Sequence, residues 1–303
     1  MTFPSSERDF IGYGENPPAP RWPGEARVAV SFVVNIEEGA EHSIADGDDR
    51  NEGVYEAIDE IEGYPDPCQD THYEYGTRIG YWRIMQALAA SDAPATLSAC
   101  GRAIERSPWL ARDGVARGHE ISCHGWRWER HAGMAEAAER VAIARTAETI
   151  RRAAGVAPVG WHTRSAPSVN TRRLLIEHGG FLYDSDAYND ELPYFASAGG
   201  RRHVVLPYSF DTNDMHFHSR SQRFVSARDF ADYVVASYDR LWREGAHQPR
   251  MMSVGLHLRM IGRAGRIDGL ETVLRHMRQT GGTWIARRDA IARHWLARFG
   301  EAA

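Results

Sequence analysis

The chain has 303 residues, 43% of them hydrophobic and 25% charged, with a formal net charge of -5. That composition is ordinary for a globular protein and leaves room for one large α/β domain or two small ones. It excludes collagen, coiled coil and extensive disorder, and the missing basic surplus argues against nucleic acid and anionic membrane as partners.

Residues 1–24, which include NPPAPRWPG, predict an irregular N-terminal arm, and 25–303 the folded body. The opening MTFPSSERDFIGYG lacks a basic region followed by an apolar run, so no secretory signal is expected. No stretch is apolar for long enough to predict a transmembrane helix. Three cysteines, Cys68, Cys100 and Cys123, are odd in number and widely spaced. They predict reduced thiols and a cytoplasmic protein.

Residues 27–35, RVAVSFVVN, predict a strand buried on both faces. Residues 39–75 follow with no clear period and are expected to be a long functional loop. Then helix and strand patterns alternate. A helix is predicted over 80–90, a strand over 95–100, a helix over 106–117 and a strand over 120–123. A long helix over 134–154 precedes a strand over 159–162 and a helix over 171–178. Tyr183 marks a short extended piece, and 204–208 a strand. A helix over 229–244, a strand over 251–256, a helix over 270–280 and a strand over 283–286 complete the series, before a last helix running to Trp295. Such alternation means parallel βα units, about seven of them, closing into one α/β barrel. The chemistry of such a barrel sits at the C-terminal ends of its strands.

Polar clusters stand at those ends. The first strand runs into Asn35-Ile36-Glu37-Glu38-Gly39. Paired carboxylates there can act as general base, as metal ligand or as acceptor for substrate N–H groups. Residue type alone does not separate them from a solvated acidic turn. Gly118-His119-Glu120-Ile121-Ser122-Cys123-His124-Gly125-Trp126-Arg127-Trp128 places His124 at a strand end and His119 before the strand. His162-Thr163-Arg164, the run 183–190, the run 211–214 and Leu256-His257-Leu258-Arg259 repeat the pattern.

In that order the segments resemble the signature of the polysaccharide deacetylases: TFDDG, then H-[ST]-x-x-H, an Arg-Pro loop, D-x-x-D and Leu-His. The counterparts are Asn35 to Gly39, His124 to Trp128, the loop 163–170, Asp211 to Asp214 and Leu256-His257. Stretches such as YEYGTRIGYWRIM, GHEISCHGWRW, GGFLYDSDAYNDELPYF and GLHLRMIGRAGR resemble the cytoplasmic branch of that superfamily that contains allantoinases and cyclic imide hydrolases. The resemblance implies a single distorted (β/α)7 barrel, a hydrolase that opens a C–N bond in a small cyclic amide, and a homotetramer. Allantoin is its first implied substrate and a cyclic imide the second. A metal-dependent carbohydrate N-deacetylase is one alternative, and a catalytically dead barrel serving as a binding subunit is another.

Departures from the signature carry information. Glu38 stands for the metal-binding Asp, Glu37 for the base Asp, and Trp128 for the second metal-site His. A catalytic zinc site needs three protein ligands and a water. No cofactor is therefore predicted, although a divalent metal such as zinc stays open, with His257 as a replacement ligand. The loop 163–170 is about one residue longer than in the allantoinases, and 61–72 also differs.

The implied roles are Glu37 as base, with a pKa raised by burial, His257 as acid for the leaving nitrogen, and His124 to position water or polarise the carbonyl. Arg164 is expected at the oxyanion, with Asp214 orienting a histidine. Trp126, Trp128 and Tyr188 are expected to wall a flat ring, with Glu38 accepting substrate N–H groups. The segment 184–195 reads equally as subunit interface.

Overall fold

The run VAVSFVVNI folds as β1 (Val28–Ile36), and all nine residues are buried. The computed structural model describes residues 8–53, 59–218 and 223–300. After β1 come α1 (Pro67–Tyr75), α2 (Tyr81–Ala90), β2 (Ala95–Ala99), α3 (Gly101–Arg106), α4 (Trp109–Ala116) and β3 (Glu120–Cys123). Then follow α5 (Glu136–Ala154), β4 (Gly160–Trp161), α6 (Thr171–His178), β5 (Tyr183–Asp184), β6 (Tyr194–Ala198) and β7 (Arg201–Val205). The last elements are α7 (Ala227–Glu244), β8 (Arg250–His257), α8 (Ile267–Thr280), β9 (Thr283–Ile285) and α9 (Arg288–Phe299).

The strands form one curled sheet in the order β6-β7-β5-β4-β3-β2-β1-β8, with β9 beside the first residues of β1. Every pairing is parallel except β6 with β7. Helices between parallel strands cover the outside, as the alternation predicts, and the result is a distorted α/β barrel. Its seam is an irregular strip after β7. Leu206 N–H donates to Asp184 O at 2.9 Å, and Gly255 N–H donates to Thr212 O at 3.0 Å. One parallel bridge joins Asn213 to Gly255.

Gly255 is needed at that seam. A Cβ there would lie 2.2 Å from the Tyr208 hydroxyl oxygen and 2.4 Å from Asn213 Nδ2. Buried Arg288 holds the same region from within. Its guanidinium donates to the hydroxyls of Ser31 (3.0 Å), Ser185 (3.0 Å) and Ser253 (2.7 Å), and to the carbonyls of Pro207 (3.0 Å) and Leu206. At the other end of the chain, Trp22 of the arm is buried against Trp284, His294 and Trp295. No helix among the described residues is long and apolar enough to cross a membrane.

Four expectations need correction. The loop 39–75 contains α1, which starts where the Asp66 side chain caps the N–H groups of Cys68 and Gln69. The helix expected over 106–117 starts only at Trp109, because Pro108 restricts Ser107 before it, and a separate helix that was not foreseen, α3, ends at Arg106. Strand β6 was not foreseen. Strand β7 lies three residues earlier than expected, drawn back by the hairpin that Gly199 and Gly200 turn with φ of 57° and 73°.

Candidate active site

Four strands deliver polar side chains to one end of the barrel. Glu37 follows β1, His124 follows β3, His162 follows β4, and His257 ends β8. All four line a cavity of about 470 Å³, together with Asn35, Trp128, Arg164, Ser165, Tyr208, Phe210, Asn213, Met215, His216 and His218. That volume suits a small ligand.

Glu37 is the centre of charge, and it is fully buried. Its Oε1 lies 3.4 Å from His124 Nε2 and 3.3 Å from His257 Nε2. Its Oε2 accepts from Arg259 Nη1 at 2.7 Å. Burial would push this carboxyl up, but His257 and Arg259 override that and hold it well below the ordinary range. The expectation of a raised pKa at Glu37 is therefore wrong. Sequence reasoning allowed for burial and overlooked a buried arginine two residues after His257. In the same segment burial does raise Glu38 and Glu41, the latter to about 7.

Both histidines are fixed by their second nitrogen. His257 Nδ1 donates to Asp214 Oδ1 at 2.5 Å, while Asp214 Oδ2 accepts the N–H groups of His257 (2.7 Å) and Ile261 (3.1 Å). Burial would lower the His257 pKa, but Glu37 and Asp214 raise it to about 10. With that value the ring is an imidazolium at neutral pH, and its Nε2 lies 3.3 Å from Glu37 Oε1. His124 Nδ1 meets the carbonyl of His162 at 2.6 Å. A carbonyl only accepts, so Nδ1 carries a proton, and Nε2 faces Glu37 Oε1.

The remaining expected residues divide. Asp214 orients His257, as expected. Trp128 lines the cavity, but the guanidinium groups of Arg164 and Arg259 lie over its ring, 3.5 and 5.0 Å from the centroid. Arg164 also lines the cavity. Its fork is paired with Glu52 at 3.1 and 3.0 Å, which leaves it badly placed to meet an oxyanion.

Trp126 lies elsewhere, packed on Gly101 and covered by Arg145 at 3.4 Å. Glu38 turns away from the cavity, because its Oε2 accepts the Glu37 N–H at 3.1 Å and its carboxyl abuts Gly76 after α1. Tyr188 backs the wall. It stacks on Phe210 at 4.0 Å, and its hydroxyl reaches His162 Nε2 and Ser165 Oγ. Arg259, Asn35 and His162 were not singled out from sequence, although each stands in a polar cluster at a strand end.

The loop that carries Arg164 and Ser165 is pinned from below. Buried Glu139 accepts from Ser168 Oγ and Thr171 Oγ1, both at 2.5 Å, and pairs with His131 Nδ1 at 3.0 Å. Thr163 is held by Asp186 through its N–H at 2.8 Å and its hydroxyl at 2.7 Å. Between these anchors Ser165 adopts a φ of 47°, a strained setting for a residue with a side chain.

The family model for polysaccharide deacetylase matches residues 70–178. A Schizosaccharomyces pombe protein provisionally assigned to the polysaccharide deacetylases is 34% identical over 316 residues, spanning 96% of this chain and 97% of its own. The chain belongs to the polysaccharide deacetylase family. Two solved structures cover it almost completely. The allantoinase PuuE is 43% identical, with a TM-score of 0.91 over 98% of both chains. A Pseudomonas aeruginosa PAO1 protein described as a polysaccharide deacetylase is 42% identical, with a TM-score of 0.91 over 96% of this chain and 98% of its own. The chain is a hydrolase of the superfamily that holds both deacetylases and allantoinases.

The metal-dependent members of such a family raise the question of a metal here. Among the described residues, no group of three His, Cys, Asp or Glu side chains is placed to hold one. Trp128 stands where the signature has its second histidine, and an indole is no ligand. Arg259 Nη1 already sets a cation 2.7 Å from Glu37 Oε2 and 3.4 Å from Glu38 Oε1. This donor set does not fit a resident divalent metal.

Proposed function

We propose that the chain hydrolyses a C–N bond in a small cyclic amide, with the opening of allantoin to allantoate as the first reaction to test and a cyclic imide as the second. The observation that carries this reading is Glu37 Oε1 flanked by the Nε2 atoms of His124 and His257, at 3.4 and 3.3 Å. Similarity to an allantoinase over 98% of both chains supports it. The reading covers a cytoplasmic homotetramer acting on a small molecule, without nucleic acid or membrane as partner.

This mechanism uses His124 as the neutral ring, and a water held by Glu37 Oε1 and His124 Nε2 points its electron pair at the ring carbonyl. Attack forms the C–O bond and passes the water's proton to the Glu37–His124 pair. The tetrahedral oxyanion then collapses and breaks the C–N bond. The leaving nitrogen takes its proton from His257 Nε2, which Asp214 holds in place. One proton is taken and one given, so the ring gains one water.

Removal of a general acid or base costs on the order of 10²–10⁴-fold in rate. Glu37→Gln and His257→Ala should each lose that much ring opening. If both stay within about threefold of wild type, the assignment fails.

A further inference from the structure

Two residues that line the cavity, Asn35 and His162, carry buried acceptors that the mechanism does not use. Asn35 Nδ2 donates to the carbonyl of Leu256 at 3.2 Å, so the amide is fixed and Oδ1 faces the other way. That Oδ1 is buried and has no partner. Asn35 pairs in register with His257 and stands two residues before Glu37. It therefore lies beneath the reacting groups, on the inward side of β1.

His162 presents a second such atom. Its Nε2 meets the Tyr188 hydroxyl at 3.2 Å, and that hydroxyl donates its own proton to Ser165 Oγ at 2.9 Å. Tyr188 can then only accept, so His162 Nε2 carries the ring proton and Nδ1 is bare. Nδ1 is buried without a partner. The ring is wedged between Tyr208, 4.5 Å away, and His124, 5.2 Å away. Burial, with His124 and Arg288 adding to it, holds the His162 pKa well below the usual value.

A buried acceptor left unpaired costs free energy, and native proteins leave few of them. Two in one cavity are satisfied by a ligand that brings two N–H donors. We propose that Asn35 Oδ1 and His162 Nδ1 are the specificity-determining acceptors of this site, and that they select a ring with two unsubstituted N–H groups, a ureide or hydantoin, over a ring with one. This rests on the cyclic amide reading and narrows its substrate class.

The test measures binding and turnover separately. Calorimetry on the Glu37→Gln protein would compare hydantoin, 1-methylhydantoin and 3-methylhydantoin. Methylation of at least one ring nitrogen should weaken binding about tenfold or more, because the acceptor beneath it is left unpaired. In Glu37→Gln/His162→Leu that penalty should shrink to about threefold or less. His162→Asn, whose side-chain oxygen can stand near the Nδ1 position, should restore part of it. Discrimination in binding without turnover of hydantoin by wild type upholds the two acceptors and refutes the cyclic amide reading. Turnover without discrimination does the reverse. Equal affinity for all three probes, or no measurable binding of hydantoin, overturns the proposal, and neither result depends on the His162 variants folding.

Discussion

Arg259 sets the electrostatics of Glu37. It is a fully buried cation that donates to that carboxylate at 2.7 Å, and its ring neighbours Tyr73 and Trp128 lie 4.4 and 5.0 Å from the guanidinium carbon. Arg259→Met leaves Glu37 buried with one fewer cation, so its pKa must rise. The acid limb of kcat/KM should move to higher pH, which a pH–rate profile reads directly. The alkaline limb belongs to His257. The acid is lost as pH climbs through about 10, so activity should hold through neutral pH and fall near that value. Asp214→Asn removes one of the charges that raise His257, and the limb should move down. The sign for stability is the same. The contribution of charged His257 is complete below the unfolded value of 6.5 and is lost as pH rises through about 10.

At this scale the sequence was partly legible. Glu37, His124 and His257 could be found because βα alternation says where strands end. Arg259 was hidden because its effect depends on a turn after β8 that swings a basic side chain back under two carboxylates. Trp126 misled because the neighbouring Trp128 does reach the cavity, and one strand end cannot show which of two indoles turns inward.

Among the elements, α1 and the π-helical turn Gly76–Gly80 that follows it matter most to the site. They bring the chain against the end of β8 so closely that a Cβ on Gly80 would lie 2.0 Å from the carbonyl oxygen of Leu258. Gly80→Ala should destabilise the protein by about 1–3 kcal/mol, as overpacking does, and chemical denaturation checks it. The same variant should lower activity by shifting the turn that holds Arg259. The cap that starts α1 was present in the sequence, since Asp66 before Pro67 is a recognisable helix start. It was missed because the helix has no amphipathic period and lies in a stretch dominated by charge and glycine. The β6–β7 hairpin was likewise signalled by Gly199-Gly200, but the strands on either side are half exposed and carry little apolar pattern.

For the whole molecule, the barrel was legible because seven βα units leave few other ways to bury parallel strands. The seam was not, because an irregular strip has no period to read. Arg288 is the device that fixes it, and Arg288→Met would leave several buried oxygens unpaired. We expect a loss on the order of 3 kcal/mol or more, measured by thermal or chemical unfolding. A divalent metal is tested at the same scale. Activity after chelation and dialysis should stay within about threefold of the untreated enzyme. Loss that returns with zinc would place an ion among Glu37, His124 and His257 and contradict the reading of the donor set. Light scattering tests the proposed tetramer.

The most direct measurement gives one preparation of enzyme, as purified and after chelation, two kinds of substrate: cyclic amides (allantoin, hydantoin and succinimide) and N-acetylglucosamine oligomers. The account predicts ring opening of at least one cyclic amide, lost in Glu37→Gln and His257→Ala, and no release of acetate from the oligomers. Acetate release with every ring left closed would contradict it.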